Sequence, residues 1–134
     1  MENGIDRVED GWDVRSMRGV GVGEVMVGNT MRLHIGSNKI EVWGPAELTA
    51  AGETAPVHAG TRINLGRVPK LLDQVVAEVH AGDSGVLRVR FASGWRLDVP
   101  VARSGPGWIV GLGGRCFLSS AVGGGVRIST PGKA

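Results

Sequence analysis

The chain has 134 residues, a formal net charge of +2 and a single cysteine, Cys116. That length fits one domain, able to bury roughly two thirds of the surface its unfolded form exposes. One thiol excludes an intramolecular disulfide and points to a cytoplasmic, reducing setting. The acidic N-terminus "MENGIDRVEDGWD" has no apolar signal segment, and no apolar run approaches the ~20 residues of a membrane helix, so no membrane partner is expected.

Residues 1–16 carry mixed charge with little apolar period and read as a loose acidic leader. A single β domain is expected over 17–129. From Val20 the pattern becomes strand-like: "VGVGEVMV" is valine-rich, and "MRLHI" sets Met31, Leu33 and Ile35 on one face and Arg32 and His34 on the other. Gly36-Ser37-Asn38 is turn chemistry, and "KIEV" resumes the alternation. Residues 44–60, small and polar with two prolines, read as a linker. Pro69 near a first turn predicts one short helix near 69–74. Then come "VVAEVHA", "VLRVRF", "WRLDVPV", "WIVGL", "RCFL" and "VRIS", strand-like segments separated by glycine-rich turns. Residues 130–134 read as a frayed tail.

Two stretches resemble each other. Glu24-Val25 corresponds to Glu78-Val79, Met31–Ile35 to Leu87–Phe91, and Ile40–Val42 to Leu97–Val99, with the spacing growing only at turns. Because a one-residue slip inside a strand would turn every side chain to the wrong face, this drift is that of a repeated meander. The half-repeats span about 20–43 and 75–101 and are followed by C-terminal glycine-rich strands. The expected fold is therefore mainly β: two repeated antiparallel meanders forming a small sandwich or rolled barrel. A three-residue loop, Ala92-Ser93-Gly94, pairs Phe91 with Trp95, Val89 with Leu97 and Leu87 with Val99 inside, and Arg90 with Arg96 and Arg88 with Asp98 outside. The same exercise in the first hairpin sets His34 opposite Glu41 and Arg32 opposite Trp43.

The second unit, G-x-L-x-V-x-F-x-S-G-x-x-L-x-V from Gly85, followed by Trp108 and the "VGGGVRI" ending, resembles a family of uncharacterised small β-domains found in actinobacteria. The resemblance covers roughly 65–129. It departs from the family at Ser93, where aspartate is common, and at Pro106-Gly107, where an acidic pair precedes the tryptophan. It implies a β-rich fold and brings no activity. Twelve arginines against three lysines likewise suit a GC-rich source.

Motifs for chemistry are lacking. In "GVGVGEV" the third glycine of a dinucleotide loop is replaced by Glu24, a carboxylate that would repel phosphate, and no helix follows. His34, His58, His80 and Cys116 lack the spacings of metal ligands, so no metal or cofactor is expected. Cys116 reads as a small buried thiol, and Ser119-Ser120 have no recognisable base. No catalytic residue is assigned, and the protein is expected not to be an enzyme.

Charge is uneven: five basic and nine acidic side chains to residue 60, then ten and four. Arg90 opposite Arg96, beside Arg88, is mildly unfavourable and would be relieved by an anionic partner. Stacking aromatics are missing there, since Phe91 and Trp95 point inward. The expectation is a cytoplasmic module contacting another protein or a second copy of itself. The alternative is nucleic-acid or other anion binding through Arg32, Arg88, Arg90 and Arg96.

Overall fold

The computed structural model describes residues 4–101, 107–113, 116–121 and 123–129; the tail at 130–134 lies outside them. The first meander forms β3 (Val22–Val27), β4 (Met31–Ile35) and β5 (Asn38–Val42), and the second forms β8 (Val76–Gly82), β9 (Leu87–Phe91) and β10 (Arg96–Val99). Period-2 burial sets both: Met31, Leu33 and Ile35 are buried, as are Leu87, Val89 and Phe91, with Arg32, His34, Arg88 and Arg90 between them facing out. The remaining strands are β1 (Ile5–Val8), β2 (Gly11–Val14), β6 (Ala46–Ala50), β7 (Glu53–Val57), β11 (Trp108–Leu112), β12 (Cys116–Ser120) and β13 (Val126–Ser129). Short 3-10 helices η1 (Arg15–Met17) and η2 (Leu65–Leu71) precede β3 and β8.

Two antiparallel sheets result, not closed into a barrel. One has the order β1-β2-β8-β9-β10-β6-β7, the other β13-β12-β11-β5-β4-β3. Each meander is thus extended by strands that follow the other one: β6-β7 leave the first meander to pair with β10, and β11-β12 leave the second to pair with β5. Both sheets feed one core of buried side chains.

The correspondence between the halves reaches the backbone. Residues 54 positions apart, Gly21 and Val75, pair with each other as an isolated bridge, on the local twofold relating the halves. Val22 N–H donates to Gln74 O (2.8 Å) and Val76 N–H to Val20 O (2.9 Å). Gly19 N–H donates to Val76 O (2.7 Å) and Asp73 N–H to Val22 O (2.8 Å). Gly19 and Asp73 share the left-handed backbone, φ +79° and +70°, and β3 and β8 share a register shift, at Val22/Glu24 and at Val76/Glu78.

Three expectations need correction, and the expected short helix is present with shifted bounds. Residues 5–14, expected to be loose, form the β1–β2 hairpin, and β2 adds to β8 because Ile5 and Val14 bury in the core. The expected linker at 44–60 contains the β6–β7 hairpin. It turns at Ala51-Gly52, both with positive φ as in a two-residue type I′ turn, and Pro56 is accommodated because β7 is an edge. The short helix lies at 65–71 rather than 69–74, since the left-handed turn at Asp73 directs the chain into β8. In the first hairpin Gly36 (φ +64°) opens a two-residue turn, so Ile35 pairs with Asn38, Arg32 with Glu41 and His34 with Lys39. That two-residue difference preserves every inward position. The second hairpin has the expected register.

Candidate functional site

Arg88 and Arg90 on β9 and Arg96 on β10 lie on the outer face of the seven-stranded sheet, with Arg90 opposite Arg96. Arg32 does not join them: it projects from β4 in the other sheet. Each of the four has a carboxylate within the chain. Arg90 Nε is 3.6 Å from Glu78 Oε1, and Asp98 bridges Arg88 (3.1 Å) and Arg96 (2.7 Å). Arg32 Nη2 is 2.7 Å from Glu41 Oε2. The exposed pairs of Arg88, Arg90 and Arg96 contribute at most about 1 kcal/mol each, but they cancel the local repulsion that would have favoured an anion.

At one end of this face the strands border an open groove of about 920 Å³. Pro45, which precedes β6, and Pro100, which follows β10, form apolar wall together with Pro56 of β7 and Val86. Neither Pro45 nor Pro100 has an N–H to extend the ladder, so this end stays open. Four carboxylates line it: Asp10, Glu47, Asp83 and Asp98. Asp98 is held by the two arginines. Asp83 accepts two hydrogen bonds from Arg7, at 2.6 and 2.8 Å, and that pairing holds its carboxyl below the ordinary range. Arg7 is itself seated over the Trp12 ring, 5.4 Å from its centroid. Asp10 Oδ1 lies 3.4 Å from His80 Nε2 and is 83 % exposed. Glu47 is exposed and makes no ion pair among the described residues. The four carboxylates outnumber the two guanidiniums that line the groove, Arg88 and Arg96, against an apolar wall, which suits a cation carrying an apolar stem.

The sequence reading missed these groove residues. Glu47 sat inside a presumed linker and Asp10 inside a presumed leader, and only the two prolines beside strand-like runs signalled the open end. The three histidines are dispersed: His34 is on β4, 4.0 Å from Glu24, and His58 Nδ1 lies 2.9 Å from Thr61 Oγ1. Cys116 is buried. Among the described residues no group of three or more His, Cys, Asp or Glu side chains is arranged to hold a metal ion, and no helix is long and apolar enough to cross a membrane.

On the six-stranded sheet Glu41 is buried beneath Arg32 and Trp43. Its Oε2 accepts from Arg32 and its Oε1 from the Trp43 indole N–H at 3.0 Å. Burial pushes its pKa up, but the hydrogen bonds from Arg32 and Trp43, with the charges of Arg32 and Lys39, outweigh this and leave it lowered. A folded-state pKa below the unfolded one stabilises fully above the ordinary value near 4.5 and is lost as pH falls through the lowered value. Glu41→Gln is accordingly expected to cost about 1–3 kcal/mol near neutrality, by leaving the Arg32 guanidinium without its counter-charge. The cost should shrink as the pH falls below the ordinary value of 4.5 and through the lowered one. Urea midpoints across that range measure it, and a cost independent of pH would refute the assignment.

No curated protein and no solved structure matches the chain. One family does, across both half-repeats and well beyond the 65–129 of the resemblance. Over residues 13–130 the chain matches, and so belongs to, the Family of unknown function (DUF6188).

Proposed function

We propose that the protein is a non-enzymatic interaction module that takes a basic, partly apolar segment of another protein into the groove at the end of the seven-stranded sheet. The observation that carries this reading is Glu47, an exposed carboxylate without an ion-pair partner among the described residues, between the proline wall and the charged face. A lysine or arginine head would meet Glu47 while its stem lies on Pro45, Pro56 and Pro100, in the manner of long cationic side chains on apolar surface. A second basic residue of the segment would meet Asp10, which lies across β8, β9 and β10 from Glu47. The arginines favour nucleic acid less, because each already holds a carboxylate. The buried single thiol and the arginine-rich composition support a cytoplasmic setting and an actinobacterial source.

The test is fluorescence anisotropy with a labelled peptide of alternating lysine, leucine and proline, beside the same peptide with glutamate for lysine and a single-stranded DNA oligonucleotide. The basic peptide is expected to bind, to weaken as salt is raised, and to lose about tenfold in affinity with Glu47→Lys, equivalent to about 1.4 kcal/mol. Binding of the oligonucleotide but not the basic peptide, abolished by Arg90→Ala/Arg96→Ala, would replace this reading with the anion-binding one.

A further inference from the structure

Among the described residues the local twofold is broken at two places: β13 extends β12 with no strand beside the equivalent β7, and β2 extends β8 with no strand beside the equivalent β3. On β8 the outer edge is occupied: β2 pairs along it, with Asp13 opposite His80, Trp12 opposite Ala81 and Gly11 opposite Gly82. The positions 54 residues earlier are Met26, Val27 and Gly28 on β3, and β3 ends its sheet, with β4 as its only ladder neighbour among the described residues. Met26 and Val27 are 44 % and 37 % exposed. The Gly28 N–H donates to Thr30 O across the hairpin. By the alternation of an antiparallel ladder, the N–H and C=O of Val27 and Val25 then point to the open side. Helix η2 packs on β3 as η1 packs on β8. Met26, Val27 and Gly28 are exposed, so η2 leaves this end of β3 open.

The other three edges carry devices that discourage strand addition: Pro56 on β7, Asp6 and Arg7 on β1, and Arg127 on β13. The stretch Val25-Met26-Val27-Gly28 has no charge and no proline, and the β3 bulge lies before it. A bare edge with unpaired backbone groups and exposed apolar side chains is a template for another strand.

We propose that the occupant is β3 of a second copy, joining the two six-stranded sheets about a molecular twofold. The strand is self-complementary in one antiparallel register. Val25 of each copy forms the hydrogen-bonded pair with Val27 of the other, Met26 stacks on Met26, and Glu24 falls beside Gly28. No carboxylates face each other in that register. The Gly28 carbonyl accepts from Arg62 Nη1 at 2.9 Å, so each copy carries a guanidinium where the Glu24 carboxylate of the other, 62 % exposed, would arrive. Isologous pairing closes the edge, which is how a twofold contact ends without propagating. The groove lies on the other sheet, and this interface does not depend on it.

Sedimentation equilibrium of the full chain at concentrations up to about 1 mM tests the idea. The wild type is expected to dimerise reversibly, and Met26→Lys to be monomeric with the far-UV circular dichroism unchanged. A wild type that is monomeric throughout, or a dimer that survives Met26→Lys, overturns the proposal. Oxidative crosslinking fixes the register independently of how Met26→Lys folds. Met26→Cys is expected to give a disulfide-linked dimer, because residues paired across the twofold bring their Cβ atoms to roughly 4.5–5.5 Å. Glu24→Cys, placed beside Gly28, is expected not to crosslink. Crosslinking of Glu24→Cys in preference to Met26→Cys overturns the register and with it the proposal.

Discussion

Trp108→Ala is expected to destabilise the protein by about 3–5 kcal/mol, a large part of the roughly 5–15 kcal/mol a domain has in total. Trp108 is fully buried on β11, and its indole N–H donates to Gly85 O at 2.9 Å. Gly85 belongs to the turn between β8 and β9 in the opposite sheet, so this hydrogen bond joins the two sheets. The turn is clasped from a third side: Gly125 N–H donates to Ser84 O at 2.9 Å. Gly85 has φ +106°, and a Cβ there would lie 3.0–3.1 Å from the Gly125 backbone, so only glycine fits. Trp108→Phe keeps much of the ring volume but strands the buried carbonyl, and about 1–3 kcal/mol is expected. Urea midpoints for the two variants should fall in that order, and a Trp108→Ala loss below about 1 kcal/mol would show that the sheets are joined elsewhere.

This clasp explains part of what was legible in the sequence. Gly85, Trp108 and the triple glycine stood out as the separate components of a family resemblance, and in the fold they touch. Their role is to hold the sheets in place, which accounts for a pattern so visible that still names no activity. The β9–β10 hairpin was equally legible, because "LRVRF" and "WRLDV" alternate without exception and Gly94, at φ +96°, supplies the turn.

What stayed hidden has a physical reason in each case. Ala46, Leu48 and Ala50 alternate with Glu47 and Thr49 on β6, but two of the three inward-phase residues are so small that the period disappears into a polar composition. Pro56 then argues against a strand until β7 is known to be an edge. The exchange of hairpins between sheets leaves no local mark, since β6 and β11 carry only the alternation of any half-buried strand. With β6 unread, Glu47 could not be placed, and the groove, assembled from β6, β8, β10 and the turn after β1, had no sequence signature. Arg32 was assigned to the wrong face for the same reason: equivalent positions in the repeat, Arg32 and Arg88, end on different sheets. Their local chemistry does correspond, as Arg32–Glu41 and Arg88–Asp98 are the same ion pair in the two halves.

Gly11→Ala is expected to detach the β1–β2 hairpin from β8. A Cβ at Gly11 would lie 2.2 Å from Ala81 O and 2.9 Å from Gly82 Cα, both backbone atoms of the partner strand, so a flexible side chain cannot move aside to admit it. The pairs Gly11–Gly82 and Trp12–Ala81 must open, and Ile5 and Val14 then leave the core. Burial of each side chain contributes about 1.5–3 kcal/mol, so a loss of at least about 3 kcal/mol and a fall in Tm of about 10 °C are expected. Hydrogen exchange reads the mechanism directly. Gly82 N–H donates to Val86 O on the β9 side, so the Ala81 amide points toward β2 and is protected only while β2 is docked. Its counterpart on the open edge, Val27, has no such strand among the described residues of one chain. In Gly11→Ala the Ala81 amide should therefore exchange as fast as Val27 does in Met26→Lys, where β3 is held monomeric. A variant whose Tm stays within about 2 °C of the wild type and whose Ala81 remains protected would mean that β2 tolerates the extra carbon. Fast exchange at both amides would establish that the two edges are equivalent sites, one filled from within the chain and the other left for a strand from outside it.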